Sequence, residues 1–162
     1  MYGTDGTGAN NLIVRMGAMR EPRSAEPVTE VADKFGNQHS RAHLFMDGPE
    51  IFNFTLKRIP AMVSELLDRA GKRLEEIDLF VFHQANRYML EHLRRKMAIE
   101  PARFVIAMEH CGNTVSSTIP IALKTSVAEG KLKGGETVML VGLGVGYSWG
   151  ATLVKWSPQF KD

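Results

Sequence analysis

The 162-residue chain is 44% hydrophobic and 23% charged, the composition of one ordinary globular domain with enough length to bury a core. A formal net charge of +2 excludes the basic surplus that nucleic-acid binding requires, and a single cysteine excludes an internal disulfide and suits a reducing compartment. No apolar run approaches the roughly 20 residues that span a bilayer, so no membrane role is expected. The Gly- and Asp-rich start lacks the regions of a signal peptide, and a cytoplasmic protein is the expectation.

Residues 1 to 11 read as turn or loop, and Leu12, Ile13 and Val14 suit a short strand. From residue 20 to 42 the chain is polar and broken by Pro22 and Pro27, so a partly ordered surface loop or functional flap is expected there. A helix follows. Asp47 or Gly48 caps it, Pro49 suits its first turn and Glu50 complements its dipole. Phe52, Leu56, Ile59, Val63, Leu66 and Ala70 recur at helical spacing, Pro60 should kink or divide the helix, and Gly71 should stop it.

Leu79 to Phe82 form a short apolar run that predicts a strand buried on both faces. It ends in His83, Gln84 and Asn86, the usual place for a site in an open α/β sheet. Asn86 can cap a second helix with Leu90, Leu93 and Met97 inside and Arg87, Glu91, Arg94, Arg95 and Lys96 mostly outside. Phe104 to Met108 predicts another strand, leading to His110-Cys111-Gly112-Asn113-Thr114. Ser116 or Ser117 caps a third helix that carries Pro120 in its first turn and ends before Gly130. Residues 137 to 143 and 147 to 155 read as antiparallel strands joined by a glycine-rich link. The element order makes the chain α/β, a mixed β-sheet covered by helices.

Gly142, Gly144 and Gly146 do not make a dinucleotide fingerprint, because the third glycine comes one residue early and a strand follows. The link instead suits a close backbone approach, or successive N–H groups that form an oxyanion hole. Adjacent residues of extended chain face opposite ways, so His110 is poorly placed to activate Cys111, and a small buried thiol is expected. The histidines show no ligand spacing, and no metal is assigned.

His83-Gln84-Ala85-Asn86, then Gly112-Asn113-Thr114 followed by Ser116, Ser117 and Pro120, then Gly142 to Gly150 closed by Trp149-Gly150, occur in this order. Together with Asp47-Gly48 and, more weakly, Asp5-Gly6-Thr7-Gly8, they resemble the C-terminal half of a 3-oxoacyl-[acyl-carrier-protein] synthase III, a condensing enzyme of the thiolase fold. The resemblance implies a thiolase-like half over residues 43–162, the surface loop at 20–42 and, at 1–19, a remnant of the junction with another half. It implies His83 and Asn113 as catalytic residues donating hydrogen bonds to a malonyl thioester. It also implies Asn86, Gly48, Gly144 and Val145 as substrate-binding positions, the last two in an oxyanion-hole segment. The basic residues Arg94, Arg95 and Lys96 become docking candidates for an acidic acyl-carrier protein.

The family's nucleophilic cysteine lies in its first half, and Cys111 does not match that motif, so a piece of a longer enzyme is expected rather than a naturally split protein. The implied reaction is decarboxylative condensation in fatty acid biosynthesis. Acyl-CoA and acyl-carrier-protein thioesters serve as substrates, no cofactor is implied, and the complete enzyme is expected to be a homodimer. A non-catalytic module that docks carrier protein or pairs with another subunit, or a secondary-metabolite relative, are the alternative readings.

Overall fold

The computed structural model describes residues 1–32, 36–144 and 146–157. The strand β6 (Leu79–Phe82) is buried at all four positions, as its apolar run predicts. Strand alternation sends Phe80 and Phe82 to one face, where they pack with helices α1 (Gly48–Ala70) and α2 (Arg87–Lys96). Leu79 and Val81 face the other way, into a smaller core with Ala122 of α3 (Thr118–Ala128).

β6 runs parallel to β7 (Thr137–Gly144), which pairs antiparallel with β8 (Ser148–Lys155) over its whole length. β1 (Tyr2–Thr4) adds antiparallel to β8, giving a mixed sheet in the order β1-β8-β7-β6. Two small ladders complete the described strands. β2 (Leu12–Ile13) pairs with β5 (Phe45–Met46), and β3 (Val31–Ala32) pairs with β4 (Gln38–His39) inside the 20–42 loop. No described helix is long and apolar enough to cross a membrane.

The expected loop at residues 1 to 11 contains β1, which its glycines hide in the sequence. Gly3 and Gly8 are required by close approach: a Cβ on Gly3 would lie 2.6 Å from the Trp149 ring, and one on Gly8 2.3 Å from the Tyr147 ring. The glycines of the β7–β8 link meet nothing as tight, since a Cβ on Gly142 would sit 3.9 Å from its nearest neighbour. The tightest glycine contacts among the described residues are thus made by N-terminal glycines against side chains of the link stretch.

Pro60 does not divide α1, which runs unbroken over 23 residues. The loss of one backbone hydrogen bond is outweighed by Ile59, Met62, Val63 and Leu67, all buried against the same core on both sides of the proline. Asp47 caps the helix as expected, its Oδ1 accepting from the Glu50 N–H at 3.1 Å. Ser117 stands at the N-cap of α3, but its side chain makes no capping bond, because a 3-10 turn at Val115–Ser117 already leads into the helix.

All three helices end in the same way. After α1 the N–H groups of Gly71 and Lys72 return to the carbonyls of Asp68 and Leu67, and after α3 those of Gly130 and Lys131 return to Val127 and Ser126. After α2 the pair is Ala98 to Arg95 and Ile99 to Arg94. This is the Schellman pattern, with a left-handed residue just past the helix. Gly71 and Gly130 adopt it freely at φ of 60° and 70°, whereas Ala98 is forced to φ of 54°. Ala98 is exposed, so its methyl group contributes little there. Ala98→Gly should therefore stabilise the fold by about 1 kcal/mol, read as a higher urea midpoint at unchanged m-value. An unchanged or lower midpoint would show that the left-handed alanine carries no strain.

Candidate active site

The strand expected at residues 104–108 is present only as one bridge between Phe104 and Phe80, with Val105 N–H donating to the Phe80 carbonyl at 3.0 Å. Beyond it a side chain takes over. Gln84, 1% exposed, donates from Nε2 to the carbonyls of Phe82 at 2.7 Å and Val105 at 3.2 Å, and its Oε1 accepts from the Ala107 N–H at 2.9 Å. The amide replaces the missing ladder and holds residues 105–107 beside the end of β6. That placement brings the following loop, with Asn113, to the same end of the sheet as His83.

The two meet in a cleft of about 250 Å³ that both line, together with Asn86, Met89, Gly144 and Tyr147, among others. The His83 N–H donates to the Val141 carbonyl at 2.7 Å, so the backbone under the ring continues the β6–β7 pairing. Its Nδ1 lies 2.7 Å from the Thr118 hydroxyl. Burial pushes the His83 pKa below the ordinary 6.5, with the Val115 carbonyl opposing that shift. The ring is therefore predominantly neutral at pH 7.

Asn113 accepts from the Val115 N–H through Oδ1 at 2.9 Å. That bond uses the amide oxygen and leaves Nδ2 as the side chain's donor. Val115 adopts φ of 57°, a costly left-handed conformation for a β-branched residue, and this turn connects Asn113 to Thr118.

Asn86 caps α2, its Oδ1 accepting from the Met89 N–H at 2.8 Å, and it lines the cleft as well. Gly144 lies in the lining, whereas Gly48 does not. Gly48 opens α1, and its neighbours Met46 and Ile51 reach the cleft instead. Val145 lies outside the described residues.

Arg94 is not an outward charge. Its side chain is 15% exposed, and its guanidinium pairs with Glu91 at 2.9 Å and donates to the Ile99 carbonyl at 2.9 Å, closing the C-terminal turn of α2. Arg95 is 70% exposed, and Lys96 is also exposed. Cys111 is exposed rather than buried, since its loop leaves the core once Ala107 is clamped.

The lining also contains residues that motif spacing did not single out, chiefly Tyr147. Its ring stacks on Phe54 at 4.0 Å, its hydroxyl accepts from Asn11 Nδ2 at 2.6 Å, and its backbone exchanges two hydrogen bonds with Asp5. Its place in the glycine-rich link was the available signal.

A mixed sheet with helices on both faces and a largely apolar cleft holding a few polar side chains at its C-terminal strand ends defines a thiolase-like half. The chain has a TM-score of 0.93 and 51% identity to a crystal structure of 3-oxoacyl-(acyl-carrier-protein) synthase III, covering 96% of this chain and 46% of that one. Against the 3-oxoacyl-(acyl-carrier protein) synthase from Burkholderia xenovorans the TM-score is 0.83 at 39% identity, over 97% of this chain and 43% of that one. The family model for the 3-oxoacyl-[acyl-carrier-protein (ACP)] synthase III C terminal matches residues 67–156. A curated relative, the beta-ketoacyl-[acyl-carrier-protein] synthase III of Caldanaerobacter subterraneus, is 33% identical over 96% of this chain and 44% of its own length. The chain belongs to this family of C-terminal synthase III domains. It spans about half the length of the curated relatives it matches.

Gln84 provides a test of the clamp. Gln84→Met keeps the volume but strands the Val105 carbonyl and Ala107 N–H in a buried place, which should cost about 2–4 kcal/mol in chemical denaturation. A loss below about 0.5 kcal/mol would show that the amide is not what holds the two segments together.

Proposed function

We propose that this chain is the C-terminal half of a ketoacyl synthase III-type enzyme, which condenses an acyl thioester with malonyl-carrier protein in fatty acid biosynthesis. The observation that carries this reading is the convergence of His83 and Asn113 on one cleft, each with its orientation fixed by neighbours. In the proposed step the bond from the malonyl α-carbon to its carboxylate breaks and carbon dioxide leaves. The electron pair passes into the thioester to form an enolate. Nε2–H of His83 and Nδ2–H of Asn113 donate to the enolate oxygen, and donors already aimed at developing charge need no reorganisation. The enolate carbon then bonds to the acyl carbonyl carbon held on a cysteine, and the cysteine departs as thiolate.

That cysteine is supplied from outside these 162 residues. Cys111 is exposed on a loop, and neither a base nor a helix N-terminus is identified beside it to activate it. A second layer on α3 fits this reading. The helix is apolar around most of its circumference, with Ile119, Ile121, Leu123 and the exposed Val127, yet the sheet covers only one side.

In the whole enzyme, His83→Ala should slow malonyl decarboxylation by about 10²–10³-fold, on the order of 3 kcal/mol, and leave acyl transfer to the cysteine largely intact. Equal loss of both steps would make His83 structural instead.

The carrier protein is proposed to dock on Arg95 and Lys96, the two exposed cations at the end of the helix that Asn86 starts. Reversing both to glutamate should raise KM for the carrier-bound substrate but not for a free CoA thioester, and the effect should shrink with added salt. Identical changes for both substrates would return these residues to an ordinary solvated helix end.

A further inference from the structure

The Thr118 hydroxyl lies between two hydrogen-bond partners, His83 Nδ1 at 2.7 Å and the Val115 carbonyl at 2.9 Å. Its single proton serves one of them at a time. With the proton on Val115, Oγ1 offers a lone pair and Nδ1 must carry the ring hydrogen, so a neutral His83 turns a bare Nε2 to the cleft. With the proton on Nδ1, the ring hydrogen sits on Nε2 and His83 is a donor. The two states differ in what the cleft can bind, because a lone pair facing a thioester oxygen repels it.

The geometry favours the second state. The Val115 carbonyl already accepts the backbone N–H of Thr118, so releasing the hydroxyl orphans nothing. The 2.7 Å contact is within hydrogen-bonding reach, so the hydroxyl needs no movement to serve the ring. Thr118 is 2% exposed, which leaves little room for water to compete for either partner.

We propose that Thr118 is a positioning residue that donates to Nδ1 and thereby keeps the proton of neutral His83 on Nε2, facing the thioester oxygen. The inference rests on reading His83 as the donor to the enolate. It also accounts for the placement of the strained turn at Val115, whose carbonyl accepts the Thr118 backbone N–H and whose own N–H orients Asn113.

Long-range proton–nitrogen NMR of the isotope-labelled chain, at a pH where the ring is neutral, distinguishes the two tautomers. The His83 signals are those missing from a His83→Gln variant. The expected spectrum shows hydrogen on Nε2. Thr118→Val, which keeps the shape and removes the hydroxyl, should move it to Nδ1, where it can donate to the Val115 carbonyl, and Thr118→Ser should restore it to Nε2. A wild-type ring protonated on Nδ1, or a Thr118→Val ring with the wild-type tautomer, overturns the proposal. The wild-type spectrum is decisive even when the valine variant does not fold. Failure of the underlying reading appears elsewhere, as undiminished decarboxylation by a His83→Ala whole enzyme, with the tautomer result unaffected.

Discussion

One buried side-chain amide sets the distance between the two parts of the candidate site. Gln84 is polar where the chain has just buried four apolar residues, and its three hydrogen bonds satisfy Phe82, Val105 and Ala107 in a place that excludes water. A ladder would have done the same with backbone groups alone. The side chain does it while letting the backbone at His83 to Asn86 leave the sheet and begin α2. Chain direction and strand spacing are thus decoupled where the site requires it, with His83 turning toward the cleft while its neighbour Gln84 turns inward.

The remaining site geometry follows from a strained turn on the other side of the cleft. Val115 is β-branched, exposed and left-handed, a combination that solvent contact or packing does not reward. Its N–H holds Asn113 and its carbonyl accepts the backbone N–H of Thr118, whose hydroxyl touches His83. Strain at one residue orients the polar groups on both sides of it, and the buried start of α3 keeps the turn from relaxing. The neutral state of His83, maintained by burial, makes hydrogen placement on the ring decisive, because only one nitrogen can then donate.

The layered packing divides the structure into a finished side and an open one. α1 and α2 enclose the larger core against Phe80, Phe82, Met139 and Val141. The opposite core under α3 is smaller, and Val127 stands 45% exposed at the helix's outer side. The chain, matching about half the length of its curated relatives, presents a cleft lined by His83, Asn86 and Asn113, among others.

Much of this was legible in the sequence where the controlling forces are local. Asp47 and Asn86 cap their helices, Gly71 and Gly130 stop theirs, and Leu79 to Phe82 make the doubly buried strand, because capping, left-handed φ and strand alternation act within a few residues. The pairing of His83 with Asn113 was implied by the family resemblance that the motifs carry, and by no periodicity. Tertiary structure decided the rest. Arg94 reads as an outer cation by helical spacing, yet it folds back because the Ile99 carbonyl needs a donor. Residues 104–108 read as a strand, yet they form one bridge because Gln84 takes their partners. β1 is concealed by Gly3, whose missing side chain makes room for Trp149, and Gly8 just after it does the same for Tyr147, partners about 140 positions away in the chain. The roles of Gln84 and Thr118 likewise depend on acceptors and donors some 20 to 35 residues distant, brought near only when the sheet and α3 close around them.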